Sequence, residues 1–191
     1  MKLYERIVNI LDEKGPLPFP ALYHEASSLL SEKEGPFDLG EVQNTIFRKK
    51  DLFFINNEMV SIHPDKKLSH LHVYSEMPGR PACQAIIDFE KGKFIYTEWR
   101  DKGSPYRSIP RRPFGIPGDM AIFKAAVFSL AVWDWEQNYI ADEGIILNGT
   151  SWYVILKSKT KVYKSSGFDR FPENWQTFRS SLQELTGSPY W

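Results

Sequence analysis

Cysteine is nearly absent: Cys83 is the single one in 191 residues. No disulfide can form within the chain, which fits a reducing compartment. Long hydrophobic runs are missing too, since no apolar stretch reaches the ~18–20 residues that span a bilayer. The opening Met1-Lys2-Leu3-Tyr4-Glu5-Arg6 holds no apolar signal core. No membrane partner and a cytoplasmic setting are therefore expected. Net charge is also lacking, because 24 Lys and Arg balance 24 Asp and Glu. Finally, the chain has no Walker A loop, no Gly-x-Gly-x-x-Gly, no Gly-x-Ser-x-Gly, no His-Glu-x-x-His and no Cys-x-x-Cys, so it reads as non-enzymatic, with no cofactor expected.

What is present is ordinary globular material: 42% hydrophobic and 25% charged residues, with 15% aromatic including six Trp. This composition excludes a disordered or collagenous chain. The length fits one or two domains.

The first 64 residues read as three helices and a hairpin. Helix one runs from Leu3 to about Glu13, with Leu3, Ile7, Ile10 and Leu11 on one face, and Gly15-Pro16 stops it. Helix two is expected from about Pro20 to Ser31 on the stripe Leu22, Ala26, Leu29 and Leu30. Asp38, with Glu41 three residues on, has the chemistry of a capping box for helix three. That helix should turn Leu39, Val42, Ile46 and Phe47 inward and show Gln43, Asn44 and Arg48 outward, with Lys49 and Lys50 after it. Then Leu52 to Ile55, the pair Asn56-Asn57, and Glu58 to Ile62 form a hairpin signal, because Asn tolerates the positive φ of a type I′ turn.

Three helices plus a hairpin is a winged-helix layout. With Pro16-Leu17 after helix one, Phe53-Phe54 in the first hairpin strand and Val60 to Ile62 in the second, this region resembles the winged-helix domains of the HARE-HTH type. That group includes the N-terminal domain of the bacterial RNA polymerase delta subunit, and the resemblance covers about a third of the chain. It implies binding to DNA or to transcription machinery. In a DNA-binding helix-turn-helix the third helix enters the major groove, where Asn or Gln suits adenine and Arg suits guanine. Gln43, Asn44 and Arg48 are chemically competent for base contacts, and Lys49 and Lys50 for phosphates. Against this, residues 1–67 hold nine basic and eleven acidic side chains, a net of −2, whereas phosphate attraction supplies most non-specific DNA affinity. A merely solvated polar face, or a winged helix that binds protein, are the competing readings.

A boundary is expected near residue 67, dividing the chain into a winged-helix domain, 1–67, and an α+β domain, 68–191. Residues 64–81 carry three prolines and a glycine around one short possible strand, Leu68 to Tyr74, as an inter-domain connector would. Gln84 to Phe89 and Lys93 to Trp99 read as strands, followed by a Pro- and Gly-rich loop from Arg100 to Gly118. Met120 to Trp135 is apolar on nearly every side, which predicts one buried helix. Ile145 to Leu147, Asn148-Gly149 and Trp152 to Lys157 predict a hairpin, with a third strand near Lys161 to Ser165. A last helix should carry the stripe Trp175, Phe178, Leu182 and Leu185, with Gly187 able to cap it. Strands and helices do not alternate, so the second domain reads as α+β with an antiparallel sheet and two helices.

Several constellations bear on chemistry. His70-x-His72 would share a strand face, with His63 nearby, but a metal site needs three or four ligands; linker histidines are the plainer reading. Asp88, Glu90, Glu98 and Asp101 surround the first hairpin of the second domain without the spacing of a metal-dependent nuclease. Cys83 fits a buried apolar position. The strongest surface feature is a basic loop: Arg100, Lys102, Arg107, Arg111 and Arg112 stand against Asp101 alone, interleaved with Tyr106 and Phe114. Arginine among aromatics suits phosphate contact and base stacking, and the alternative is a solvated loop whose arginines pair with the acidic N-terminal module. Lys157, Lys159, Lys161 and Lys164 add positive charge beyond it. The expected role is nucleic-acid-associated, with transcription regulation in view; the alternative is a protein–protein adaptor.

Overall fold

The computed structural model describes residues 2–29, 35, 37–99, 109–110, 115–140 and 149–189. It is an α+β structure. Its internal contacts group into two units, residues 1–67 and 68–191.

In the first unit α1 (Leu3–Lys14) is followed by β1 (Leu17–Pro18), α2 (Phe19–Ser28), α3 (Leu39–Arg48), β2 (Phe53–Asn56) and β3 (Met59–Ile62). α1 buries Ile7, Val8, Ile10 and Leu11, α2 buries Leu22 and Ala26, and α3 buries Val42 and Ile46. The capping box opens α3: the Glu41 amide donates to Asp38 Oδ1 at 2.8 Å and the Asp38 amide donates to Glu41 Oε2 at 3.1 Å. Two of the helix's otherwise orphaned donors are thereby satisfied.

Four local expectations are corrected in this unit. Leu17-Pro18 is a strand rather than a plain linker, pairing antiparallel with Val60 and Met59 and completing a sheet of order β1-β3-β2. α2 ends at Ser28, so Leu29 leaves the apolar stripe and is 55% exposed; Leu30 and Ser31 lie outside the described residues. Phe47 points outward, 49% exposed, where its ring meets that of Phe19 at 6.0 Å. The hairpin turn is Asn57-Glu58 rather than Asn56-Asn57, because Asn56 still pairs with Met59. Both turn residues take the left-handed backbone, φ 48° and 63°, as a type I′ turn demands of its two central positions.

The second unit is built on β4 (Leu68–Glu76), β5 (Ala82–Asp88), β6 (Lys93–Trp99), β7 (Ile109–Pro110), β8 (Asn138–Ile140), β9 (Ser151–Ser158) and β10 (Val162–Phe168), with α4 (Met120–Ser129) and α5 (Trp175–Thr186). The strand order is β7-β6-β5-β4-β9-β10-β8. β4 lies at the middle of this sheet, so Leu68 to Tyr74 is its central strand and not part of a connector. Its register sets Leu71, Val73 and Ser75 on the buried face and His70, His72, Tyr74 and Glu76 on the other. All the pairings are antiparallel except β10 with β8, which run parallel, so the expected purely antiparallel sheet is corrected at that edge. The expected strand Ile145 to Leu147 lies outside the described residues.

The buried face carries Leu71, Ala85, Ile87, Val154 and Leu156, all at most 1% exposed. α4 and α5 supply the opposing apolar side chains, with Phe123 and Phe178 meeting at 6.3 Å. The helix expected over 120–135 stops at Ser129, and Val132–Asp134 form a separate 3-10 turn. The break has a clear cause: Ala131 takes left-handed backbone at φ 46°, and the Asn174 amide donates to the Leu130 carbonyl at 2.8 Å while accepting the Trp135 indole N–H at 2.8 Å. Nor is α4 buried all round, since Ile122 is 68% exposed. α5 buries its expected stripe and ends at Gly187, φ 61°. Its last carbonyls are reached from far earlier in the chain: the Gly118 amide donates to Glu184 and Leu185, both at 3.0 Å, and the Gly115 amide to Gly187 at 2.7 Å.

Candidate functional site

α3 is placed by its cap at one end and by buried Val42 and Ile46 along its inner side. The spacing of these two apolar residues leaves Asn44 and Arg48, one turn apart, on the exposed side. Gln43 is half-buried, and Lys49 and Lys50 continue the exposed run past the helix end. Lys49 rests its ammonium 5.0 Å from the centre of the Tyr4 ring, a cation–π contact that holds the side chain without burying its charge. Among the described residues, Gln43, Asn44, Arg48 and Lys50 make no side-chain hydrogen bond or ion pair, and the exposed Asn44, Arg48 and Lys50 present their polar groups to solvent. Arg107, Arg111 and Arg112 lie outside the described residues.

Around α3 the first unit also exposes apolar side chains. Beside Phe47, the hairpin shows Phe54 at 45% and Ile55 and Met59 at 37% each. Phe54 packs edge-on to His63 at 6.2 Å. The hairpin tip adds Asn57 and an acidic Glu58, both exposed.

A second constellation stands on the open face of the large sheet, and the sequence pattern conceals it by giving 68–76 the look of a connector. Tyr74 and Tyr153 are directly paired across β4 and β9, and their rings stack at 5.1 Å and 14°. His72 meets Tyr153 edge-on at 5.0 Å and hydrogen-bonds both the Gln84 amide and the Tyr153 hydroxyl. The Tyr74 hydroxyl donates to Glu76 at 2.8 Å; burial and this carboxylate push it up to about 12. Burial likewise raises Tyr153. Burial, and then the nearby Lys157 ammonium, hold His72 below the usual histidine range.

The sign of that last shift gives a prediction. A histidine lowered in the folded state favours the neutral ring, so its contribution is complete above the ordinary value of about 6.5 and is lost as pH falls through 6.5 towards the folded value. The His72 ring resonance in an NMR titration should have its midpoint below 6.5, and His72→Gln should flatten the decline in urea midpoint between pH 7 and pH 5.5. A His72 midpoint above 6.5 would contradict the assigned environment.

The remaining candidate residues hold structural positions. His70 faces Asp88 at 3.6 Å, while His72 turns to Gln84 and Tyr153. Among the described residues no group of three or more His, Cys, Asp or Glu could hold a metal ion. Asp88 and Glu98 point to opposite faces of the sheet, as their register dictates. Asp88 accepts the Glu90 and Lys91 amides of the β5–β6 turn at 3.1 and 2.9 Å, and the Lys91 amide is the main reason its carboxyl is lowered. Glu98 is buried and accepts from the Tyr96 hydroxyl at 3.0 Å. Asp101 lies outside the described residues. Cys83 is fully buried, its Sγ 3.3 Å from the same hydroxyl oxygen. Among the described residues no helix is long and apolar enough to cross a membrane.

No family model, curated protein or solved structure matches this chain. The two exposed constellations are the features on which a function can rest.

Proposed function

We propose that this is a non-enzymatic, nucleic-acid-associated protein, a transcription regulator in its simplest form, whose first unit is a winged helix using α3 to meet DNA. The order helix, strand, helix, helix, strand, strand with sheet order β1-β3-β2 supports the winged-helix reading, which makes residues 1–67 a DNA-binding domain and 68–191 an appended partner-binding domain. The observation that carries the function is the row on α3: Asn44 and Arg48 exposed one turn apart, with no partner in their own chain among the described residues. An Asn suits an adenine edge and an Arg a guanine edge. Gln43 adds to this base-reading row, and Lys49 and Lys50 reach phosphates beside it. Arg107, Arg111 and Arg112 enter this reading through their charge alone.

Replacing Arg48 and Lys49 together by Ala should weaken duplex DNA binding and lower its salt slope by about 1 for every phosphate that goes unneutralised. Fluorescence polarisation with a mixed-sequence duplex at low and physiological salt measures both. Unchanged affinity and slope in the double variant would sink the DNA reading.

One observation favours a second reading. The same unit exposes Phe47, Phe54, Ile55 and Met59 while carrying nine basic against eleven acidic residues, a surface suited to an apolar, basic protein partner. Under that reading the chain is an adaptor, and the polarisation experiment shows no duplex binding at any salt.

A further inference from the structure

We infer that the open face of the seven-stranded sheet in the second unit is a binding platform for single-stranded DNA, separate from α3 and independent of its role. Stacked Tyr74 and Tyr153, side by side at the middle of the sheet, present half-buried aromatic rings on a face that no helix of this unit covers among the described residues. The pair is held from below and beside. Both tyrosine hydroxyls are committed, one to Glu76 and one to His72, so the rings are fixed in orientation before any ligand arrives. Sequence-tolerant recognition of a single strand uses such parts: aromatic rings on which bases stack and a positive track for the backbone.

The positive track lies beside the rings. Residues 151–168, which form β9, β10 and their turn, contain four lysines and no Asp or Glu. Lys157, Lys159, Lys161 and Lys164 are all exposed. The register places Lys157 and Lys164 on the same face as Tyr153, since Lys157 lies opposite His70, and Lys164 opposite Ile155, which itself pairs with His72. Among the described residues the strands set two carboxylates on this face, both engaged: Asp88 by Lys91 at 3.4 Å and His70 at 3.6 Å, and Glu76 by the Tyr74 hydroxyl. Ile86 and Ile95, paired across β5 and β6 and 42% and 56% exposed, extend the apolar floor on which a base or sugar can lie. The occupant is assigned as DNA, whose bases and phosphates meet the rings and the lysines, and the RNA arm of the test decides whether a ribose 2′-OH adds to this recognition.

The test uses the full chain and labelled oligonucleotides: a thymidine 20-mer, a uridine 20-mer RNA and a mixed-sequence duplex, by polarisation at 50 and 200 mM salt. The thymidine strand should bind no more weakly than the RNA. Tyr74→Leu and Tyr153→Leu should each lower its affinity about tenfold with the salt slope unchanged, while Tyr→Phe at either position should retain binding. Lys157→Gln with Lys164→Gln should lower the slope by about 1.4, the single-strand increment for two phosphates. Near-ultraviolet circular dichroism checks that each variant is folded. Arg48→Ala with Lys49→Ala should leave single-strand binding intact, so loss of duplex binding and loss of single-strand binding report on different surfaces. The inference is overturned if the folded wild type ignores the thymidine strand at 50 mM salt, if the Leu variants bind it as wild type does, or if RNA binds tenfold better. It is equally overturned if the Leu variants change only the sedimentation of the protein, which would make this face a contact between copies.

Discussion

Trp152→Ala should lower the stability of the second unit by about 3–5 kcal/mol, the range for truncating a large buried aromatic. Trp152 is 2% exposed on β9 and lies at the centre of an aromatic cluster. Its ring is 4.5 Å from Trp175, 5.6 Å from Tyr139 and 6.0 Å from Phe171, to which it is nearly parallel. Its indole N–H donates to the Arg170 carbonyl at 2.7 Å. Removing the ring forfeits its transfer free energy and leaves a cavity walled by stiff rings that cannot collapse into it. It also strips the Arg170 carbonyl of its indole donor, a further cost where the group stays shielded from water. Against a typical total of 5–15 kcal/mol, urea unfolding followed by circular dichroism should show a much lower midpoint. A loss below about 1 kcal/mol would mean the cluster does not organise this unit. Trp152→Phe, which keeps an aromatic ring but loses the N–H and part of the indole's volume, should fall between.

Gly167→Ala is expected to cost about 2–3 kcal/mol by the opposite route, overpacking. Gly167 sits opposite Trp152 in the β9–β10 register. A methyl group there would lie 2.5 Å from Trp152 Nε1 and 2.6 Å from the Arg170 carbonyl oxygen. Neither neighbour is a flexible side-chain tip: one is the edge of a clamped indole, the other is backbone. The glycine is therefore required by close approach and not by its backbone angles. Because both substitutions act on one contact, their effects should not add. In a Trp152→Ala background the indole clash disappears while the carbonyl clash remains, so the added cost of Gly167→Ala should shrink by about 0.5–1.5 kcal/mol without vanishing. Simple additivity would show that the indole is not what excludes the methyl group.

Much of the first unit is legible in the sequence because its signals are local. The period of Ile7, Ile10 and Leu11, the Asp38–Glu41 pair and the Asn-rich turn each act within a few residues. The departures there are small shifts of the same signals: a turn moved by one residue because Asn56 still pairs, and Phe47 turned outward against Phe19. Leu17-Pro18 is hidden because two residues with a proline carry no strand pattern, and only β3 makes them one.

The second unit is harder to read for a physical reason. β4 runs LSHLHVYSE, where histidines, serine and tyrosine alternate with only a few aliphatic residues, and flanking prolines make it resemble a connector. Of its two partners only β5 is near in the chain; the other, β9, lies some eighty residues later. Without β4 as a central strand the open face it carries cannot be assembled, and nothing local brings His72, Tyr74, Gln84 and Tyr153 together. The break in the long apolar helix is equally invisible, since it depends on Asn174 reaching across to Leu130 and Trp135. The exposure of Asn44 and Arg48, by contrast, follows from helical spacing alone.

The segment around Gly115 and Gly118 supplies amide donors to the final turn of α5. A helix end ordinarily frays by itself, since its last carbonyls have no intrahelical donor. Here the last turn cannot unwind without releasing a stretch that enters the fold before α4, and that stretch cannot leave without uncovering the helix. Two regions far apart in sequence thus form one opening unit, and the C-terminal helix inherits the local stability of a segment that, taken alone, has the composition of a loop.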